Sequence, residues 1–316
     1  MKVLLIGGGG TLGKYTADEL INLGSSVDII CLENNQNSEN IKFYKANADI
    51  NYLTSFLEDK YYDAIVNFIH YENVDNYKPV HKLLSQKTDR EIFLSSYRVY
   101  ADLEHPITEN APQLIDTVKN DSDFFEKETY ALPKSKCERY ISKSGAENVT
   151  IVRPVISFSS RRFDVVTVSG TQIPEKAKKG EKIYLPKAAK NLTAGLDWAG
   201  NSGKLIANLL FKNEAAGEAF TVSSAQNLTW SEITDIYSEL IGAEFIWVDT
   251  DEFTEKYPAL KSSPWILKYD RLFDRPIDNS KILKVTGLSK GDFVSIRDGI
   301  KTELNKIGGV LHEKKI

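Results

Sequence analysis

Cysteine, methionine and histidine are scarce in this chain, with two, one and four among 316 residues. Cys31 and Cys137 cannot build a disulfide framework, and the scattered histidines offer no metal-ligand spacing, so neither a cystine-stapled scaffold nor a metal centre is expected. An excess of one charge is also missing. The 40 basic and 44 acidic residues are spread along the chain and leave a net charge of −4, and only Lys314-Lys315 is locally basic. That balance gives no electrostatic footprint for nucleic acid and no polybasic segment for a membrane surface. Long hydrophobic runs are absent as well: nothing approaches the roughly eighteen apolar residues of a span, and the first apolar run is shorter than the core of a signal peptide. A reducing, cytoplasmic setting is the expectation. There is no internal repeat and no low-complexity tract. With 41% hydrophobic residues, the chain can bury a substantial core, as one large domain or two closely joined ones.

Against those absences, the first thirteen residues are rich in information. Lys2-Val3-Leu4-Leu5-Ile6 is a branched apolar run that reads as a buried parallel strand, and it runs straight into Gly7-Gly8-Gly9-Gly10-Thr11-Leu12-Gly13. Lys14 to Leu23 then places Ala17, Leu20 and Ile21 on one helical face, with Gly24 as a left-handed stop. Each spaced glycine has its own task. Gly7 permits the turn out of the strand, Gly10 lets backbone approach a pyrophosphate where a side chain would collide, and Gly13 lets the helix pack tightly on the sheet. Free amides at the helix start favour an anion, and Thr11 and Leu12 belong to that cradle. The order strand, glycine turn, helix points to a dinucleotide rather than to a ligand-free loop, and no Gly-Lys-Ser/Thr follows to make a P-loop.

Further strands are expected at Val27 to Leu32, Phe43 to Lys45, Ala64 to Ile69 and Glu91 to Ser95. At the end of the second, Cys31 stands where an acid would bind the adenosine ribose, and Glu33 is the nearest carboxylate. It reads equally as a ribose ligand or as a solvated loop acid, so NAD is favoured and NADP stays open. The small acidic turn Asn47-Ala48-Asp49-Ile50 resembles a dinucleotide-enzyme motif whose Asp and next residue bind the adenine, a resemblance that makes Asp49 and Ile50 candidates, with Asp49 as a helix cap the competing reading. The fourth strand ends in bulky Phe68-Ile69-His70-Tyr71, and His70, a lone histidine, reads as structural. Ser96 is carried to the carboxyl end of the fifth strand, the edge where open α/β sheets bind ligands.

Thr129 to Ile141 is helical in composition, and Pro133 requires that helix to begin near Tyr130 or kink there. Tyr130 and Lys134, four positions apart, then share a face. An ammonium beside a phenol favours the phenolate, which suits Tyr130 as a proton acceptor, with Ser96 hydrogen-bonding the reacting oxygen.

Taken with that spacing, the chain resembles an extended short-chain dehydrogenase/reductase of the NAD-dependent epimerase/dehydratase family over nearly its whole length. The resemblance rests on the glycine turn, Ser96 to Tyr100, Pro106 to Glu109, Tyr130 to Lys134, Val149 to Pro154, Gly217 to Phe220 and Asp278 to Lys281. It implies an α/β fold, a Rossmann-type doubly wound parallel sheet with a smaller C-terminal substrate lobe. Residues 1–156, with a return segment near 190–225, would form the dinucleotide-binding domain, and 157–189 with 226–316 the lobe. Val155 and Ile156 would lie near the nicotinamide, and Arg161 and Arg162 would either meet nucleotide phosphates or sit on a solvated loop. A capping box at Thr229 to Glu232 starts a helix of the lobe, and Val248 to Pro276 covers the cleft.

The implied activity is reversible hydride transfer on a sugar, nucleotide-linked by family resemblance, with Ser96, Tyr130 and Lys134 as the catalytic set, NAD as cofactor and a homodimer as the common assembly. The alternative is a dinucleotide-binding regulator or an RNA-associated relative without catalysis. Dehydratases of the family place Asp-Glu directly after the hydroxyl residue. Here those positions are Tyr97 and Arg98, so loss of water is not expected; Arg98 reads either as a partner for a substrate anion or as a packed side chain.

Overall fold

The computed structural model describes residues 1–308. Lys314-Lys315 and the last part of the lobe expected over 226–316 lie outside that range. The chain forms β1 Lys2–Ile6, β2 Ser26–Cys31, β3 Ile41–Lys45, β4 Ala64–Asn67, β5 Glu91–Leu94 and β6 Val149–Pro154. Then follow β7 Ile156–Phe158, β8 Ile183–Pro186, β9 Leu196–Trp198, β10 Ala219–Val222 and β11 Phe245–Val248.

Seven of these make one parallel sheet in the order β10-β6-β5-β4-β1-β2-β3. Alternation along β1 sends its residues to opposite faces. Val3 and Leu5 pack with Leu20 of the helix Thr11–Asn22 and with Leu205 and Ile206 of the helix Ala199–Leu209. Leu4 and Ile6 pack with Leu53, Tyr77, Val80 and Ile141 from the helices Ile50–Leu57, Val74–Leu84 and Ala131–Ser144. Both faces are therefore covered, which is why these strands read as unbroken apolar runs. The strand order reverses between β1 and β4, and the crevice at their carboxyl ends is where a doubly wound sheet places its ligand.

A second core gathers Phe163, Val165, Trp230, Ile233, Tyr237 and Ile300 beside the carboxyl edge of the sheet. Thr229 and Glu232 form the expected capping box of the helix Trp230–Ile241, and Gly242 ends it with φ of +67°. Two expectations are corrected here. The segment from Ser157 to Pro174 is not simply the solvated loop expected around Arg161 and Arg162, since Phe163, Val165 and Val166 are fully buried in that core while Arg161, Arg162 and Gln172 are exposed. Of the stretch Leu192 to Leu210 expected to return to the main sheet, β9 pairs instead with β7 in a separate two-stranded sheet, and only the following helix covers the main one. No helix among the described residues is long and apolar enough to cross a membrane.

Candidate active site

Gly7 leaves β1 with φ of +72°, and the turn delivers the chain to the helix Thr11–Asn22, whose cap residue Gly10 provides no side-chain hydrogen bond. The first amides of that twelve-residue helix therefore have no intrahelical or capping partner, and they form an anion cradle. A Cβ on Gly10 would meet nothing within 4 Å, so the space over it belongs to no part of the chain. Gly13 works differently from expectation. Its Cβ would stand 2.3 Å from the Gly8 carbonyl oxygen, so its smallness closes the turn upon itself rather than bringing the helix onto the sheet. The close helix approach is made at Gly203, where a Cβ would come 2.6 Å from the backbone of Tyr15.

Glu33 reaches this turn from the end of β2, because a Cβ on Gly9 would collide with its Oε2. Arg161 reaches it from the other side, with Nη1 donating to the Gly9 carbonyl at 3.4 Å. Asp49 accepts from the Tyr52 amide at 3.0 Å and caps the helix Ile50–Leu57. Of the predicted site residues, Glu33, Asp49, Ile50 and Lys134 do not border the cavity that joins the rest.

That cavity, of about 450 Å³, lies at the carboxyl edge of the sheet. Its lining includes Gly7, Gly10, Thr11, Leu12 and Gly13 of the glycine turn together with Ser96, Tyr97, Arg98, Tyr130, Phe68 and Val155. Residues separated by more than a hundred positions thus meet in one space.

Tyr130 is the cap residue of the helix Ala131–Ser144, so Pro133 falls in the first turn, where its missing amide costs nothing. Glu128, buried, fixes that start: its Oε1 accepts from the amides of Tyr130 and Ala131, both at 2.7 Å. The Tyr130 ring lies between two side chains, with the His70 ring 5.1 Å away centroid to centroid and the Arg98 guanidinium carbon 5.1 Å from its centroid. His70 Nε2 is 2.9 Å from the Thr129 carbonyl, and burial holds the imidazole below its ordinary pKa. Lys134 is almost fully buried, and its ammonium donates to the carbonyls of Leu94 at 2.5 Å and Ile69 at 3.4 Å. Burial pulls its pKa down to about 8. Ser96 accepts from the Arg98 amide at 3.2 Å, which leaves its own proton free to donate into the cavity.

Several cavity residues were not singled out by sequence reasoning. Ser95 borders the cavity with a buried hydroxyl that has no partner. Arg271, from the turn Leu267–Arg271, also lines it, next to the buried Asp270. For Arg271 the spacing carried no signal, because the chain returns to the site from a segment without regular periodicity, whereas Ser95 stands at the end of a strand that the sequence does mark. Arg98 is paired, with Nη2 3.2 Å from Glu128 and Nε 3.1 Å from Asp270. Arg153 of the Arg-Pro pair is structural: it bonds Glu138 through Nε at 3.0 Å and Nη2 at 2.7 Å.

No family model matches the sequence. No curated protein matches it either. Solved structures do match its fold. An epimerase from the methanogen Methanothermobacter thermautotrophicus superposes with a TM-score of 0.72 at 16% identity, covering 97% of this chain and 92% of that one. MoeE5, solved with UDP-glucuronic acid and NAD, gives 0.71 at 13% identity over 98% and 99% of the two chains. The UDP-glucose 4-epimerase of Thermotoga maritima, solved with UDP-glucose, gives 0.70 at 14% identity over 98% and 99%. Two of these three are named as epimerases, and what the three share with this chain is the full-length Rossmann-like α/β architecture.

Proposed function

We propose that this chain is an NAD-dependent epimerase or oxidoreductase that moves a hydride reversibly at a carbon of a nucleotide-linked sugar. The observation that carries the reading is one cavity lined both by Tyr130 and Ser96 and by the uncapped glycine turn. The fold shared with MoeE5, solved with NAD and UDP-glucuronic acid, and with a UDP-glucose 4-epimerase solved with UDP-glucose supports it.

The residues present fit the cofactor. The open space over Gly10 and the free amides of the helix Thr11–Asn22 suit a pyrophosphate, and Glu33, held against Gly9, suits a ribose diol and repels a 2′-phosphate. Val155 and Phe68 give the cavity its apolar wall, where a nicotinamide would lie. When bound, NAD supplies the hydride acceptor and donor.

On this reading Tyr130 takes the proton of the sugar hydroxyl and returns it in the reverse step, within reach of the Ser96 hydroxyl that donates to the same oxygen. Lys134 gives two of its ammonium N–H groups to the carbonyls of Leu94 and Ile69, and the third is the one it offers to the cofactor ribose. Residues 1–156 with the return segment hold the cofactor, and the second core holds the sugar. Elimination of water has no acid to serve it, because Glu128 is spent on two amides and Arg98, and Asp270 lies between two arginines.

The test is to incubate the purified protein with NAD and a panel of nucleotide sugars and follow them by NMR. Interconversion of two epimers, or formation of an oxidised sugar with NADH, is the expected result. Absence of NAD binding by calorimetry would overturn the reading.

A further inference from the structure

Beside the glycine turn, the cavity wall includes a tight hairpin that enters from the second core. Ser159 and Arg162 close it, each amide donating to the other's carbonyl at 2.9 Å, and Arg162 lines the cavity as Thr11 does. The hairpin holds the turn at two points. The Ser159 hydroxyl lies 3.0 Å from the hydroxyl of Thr11, the first residue of the helix Thr11–Asn22, and Arg161 donates to the Gly9 carbonyl. Gly10, over which the pyrophosphate is placed, is the residue between those two anchors.

What fixes the hairpin there is a side chain 143 positions away: Ser160, at the tip, donates its amide to Glu303 Oε2 at 2.7 Å. Glu303 is fully buried on the helix Ile296–Lys306. Its Oε1 accepts from Trp198 Nε1 at 2.9 Å, from Lys306 Nζ at 2.8 Å and from the Tyr15 hydroxyl. Tyr15 follows Thr11 by four positions and shares its face of the first helix. One carboxylate therefore ties the hairpin and the helix that begins at the glycine turn to the same point. Burial pushes this carboxyl up, but the bonds from Lys306, Tyr15, Trp198 and Ser160 outweigh it and hold its pKa below the ordinary value.

A buried charge is a weak device for stability alone, since apolar side chains of similar volume often serve as well or better. Directional bonds to one ion fix geometry instead. The hairpin and the first helix, two of the four elements joined here, are the ones that flank Gly10.

We infer that Glu303 is a positioning residue for the cofactor: it sets the Ser159–Arg162 hairpin against the glycine turn and so slows release of the dinucleotide. This goes beyond the hydride-transfer reading and rests on its assignment of the glycine turn to NAD. With Gly9 and Thr11 both anchored, the backbone on either side of Gly10 keeps its amides aimed at the pyrophosphate. Loss of such preorganisation appears mainly in the dissociation rate.

The experiment loads the protein with NADH, chases it with excess NAD and follows the loss of NADH fluorescence by stopped flow, with association measured separately. Glu303→Gln keeps the volume of the side chain and removes one of its two acceptor oxygens, so dissociation should rise about tenfold or more, with association changed by less than about threefold. Ser159→Ala removes the contact with Thr11, leaves Glu303 whole and should speed release by about threefold or more. Arg297→Gln breaks the surface ion pair of the same helix with Glu239, away from the hairpin, and should release NADH at the parent rate. Release from Glu303→Gln at the parent rate would overturn the inference, as would an equal rise in association and dissociation, or equal acceleration in Arg297→Gln. If Glu303→Gln does not fold, Ser159→Ala decides, and release at the parent rate counts against the hairpin. A parent protein that binds no NADH removes instead the reading of the turn beneath the inference.

Discussion

Arg98 lies across the face of Tyr130, its guanidinium carbon 5.1 Å from the ring centroid, while the ammonium of Lys134 is occupied by the carbonyls of Leu94 and Ile69. The cation in contact with the tyrosine therefore comes from the end of β5 and not from the neighbouring turn of its own helix. Glu128 ties the two together, since one carboxylate oxygen holds the Tyr130 amide and the other holds Arg98. The position of the phenol is thus set by three elements, which gives the site its rigidity.

Removal of the phenolic hydroxyl tests the catalytic reading directly. Tyr130→Phe deletes one proton acceptor and little binding surface, so turnover should fall by about a hundredfold or more with cofactor affinity nearly unchanged. Steady-state rates alongside calorimetry with NAD give the answer. Activity within a few-fold of the parent would favour a dinucleotide-binding protein without this chemistry.

Two glycines of the same turn should fail in different ways. Gly10 has open space where a Cβ would go, so Gly10→Val should fold normally and lose dinucleotide binding through collision with the pyrophosphate. Gly13→Ala places a methyl 2.3 Å from the Gly8 carbonyl oxygen and should cost about 1–3 kcal/mol of stability. Thermal unfolding and NAD titration of both variants separate the two effects. A destabilised Gly10→Val with intact affinity would contradict the assignment.

Glu91 should make stability depend on pH. It is fully buried at the start of β5, with Tyr77 Oη 3.3 Å from Oε1, His81 Nδ1 3.9 Å from Oε2, and no hydrogen-bond partner on Oε2. Burial raises its pKa from 4.5 to about 8. A folded value above the unfolded one means that the fold prefers the protonated acid, so its stabilisation is full below pH 4.5 and is lost as pH rises toward 8. Glu91→Gln should therefore raise the Tm at pH 7, by about 1–3 kcal/mol of stability, and the gain should vanish near pH 4.5. A gain that is constant with pH would place its origin elsewhere.

Dehydration is the reaction this site should not perform. No acid is free to protonate a departing hydroxyl, since Glu128 and Asp270 are both engaged by arginine. Incubation with nucleotide sugars and NAD should give no product lighter by one water in the mass spectrum. Steady accumulation of that species would reverse the exclusion.

Local order was legible in the sequence wherever one short segment carries its own signal. The apolar run of β1, the turn residue Gly7, the stop at Gly24 and the capping box at Thr229 all follow from neighbours within a few positions, through backbone sterics and amphipathic spacing. The burial of Phe163 and Val165 within a polar segment was not legible, because their packing partners Trp230 and Tyr237 are distant in the chain. Nor was the role of Gly13, which depends on a contact with Gly8 inside a turn whose path the spacing alone does not specify. The same holds for charge at the site. Sequence placed Lys134 beside Tyr130 because four positions make one helical turn, and only the fold adds that its ammonium bonds the carbonyls of Leu94 in β5 and of Ile69 just past β4. Arg98 and Arg271 reach the cavity from residues 173 positions apart, and only the docking of the second core against the sheet edge brings them to one carboxylate. Hydrophobic burial drives that docking without regard to sequence distance, so the charges it gathers cannot be read from spacing.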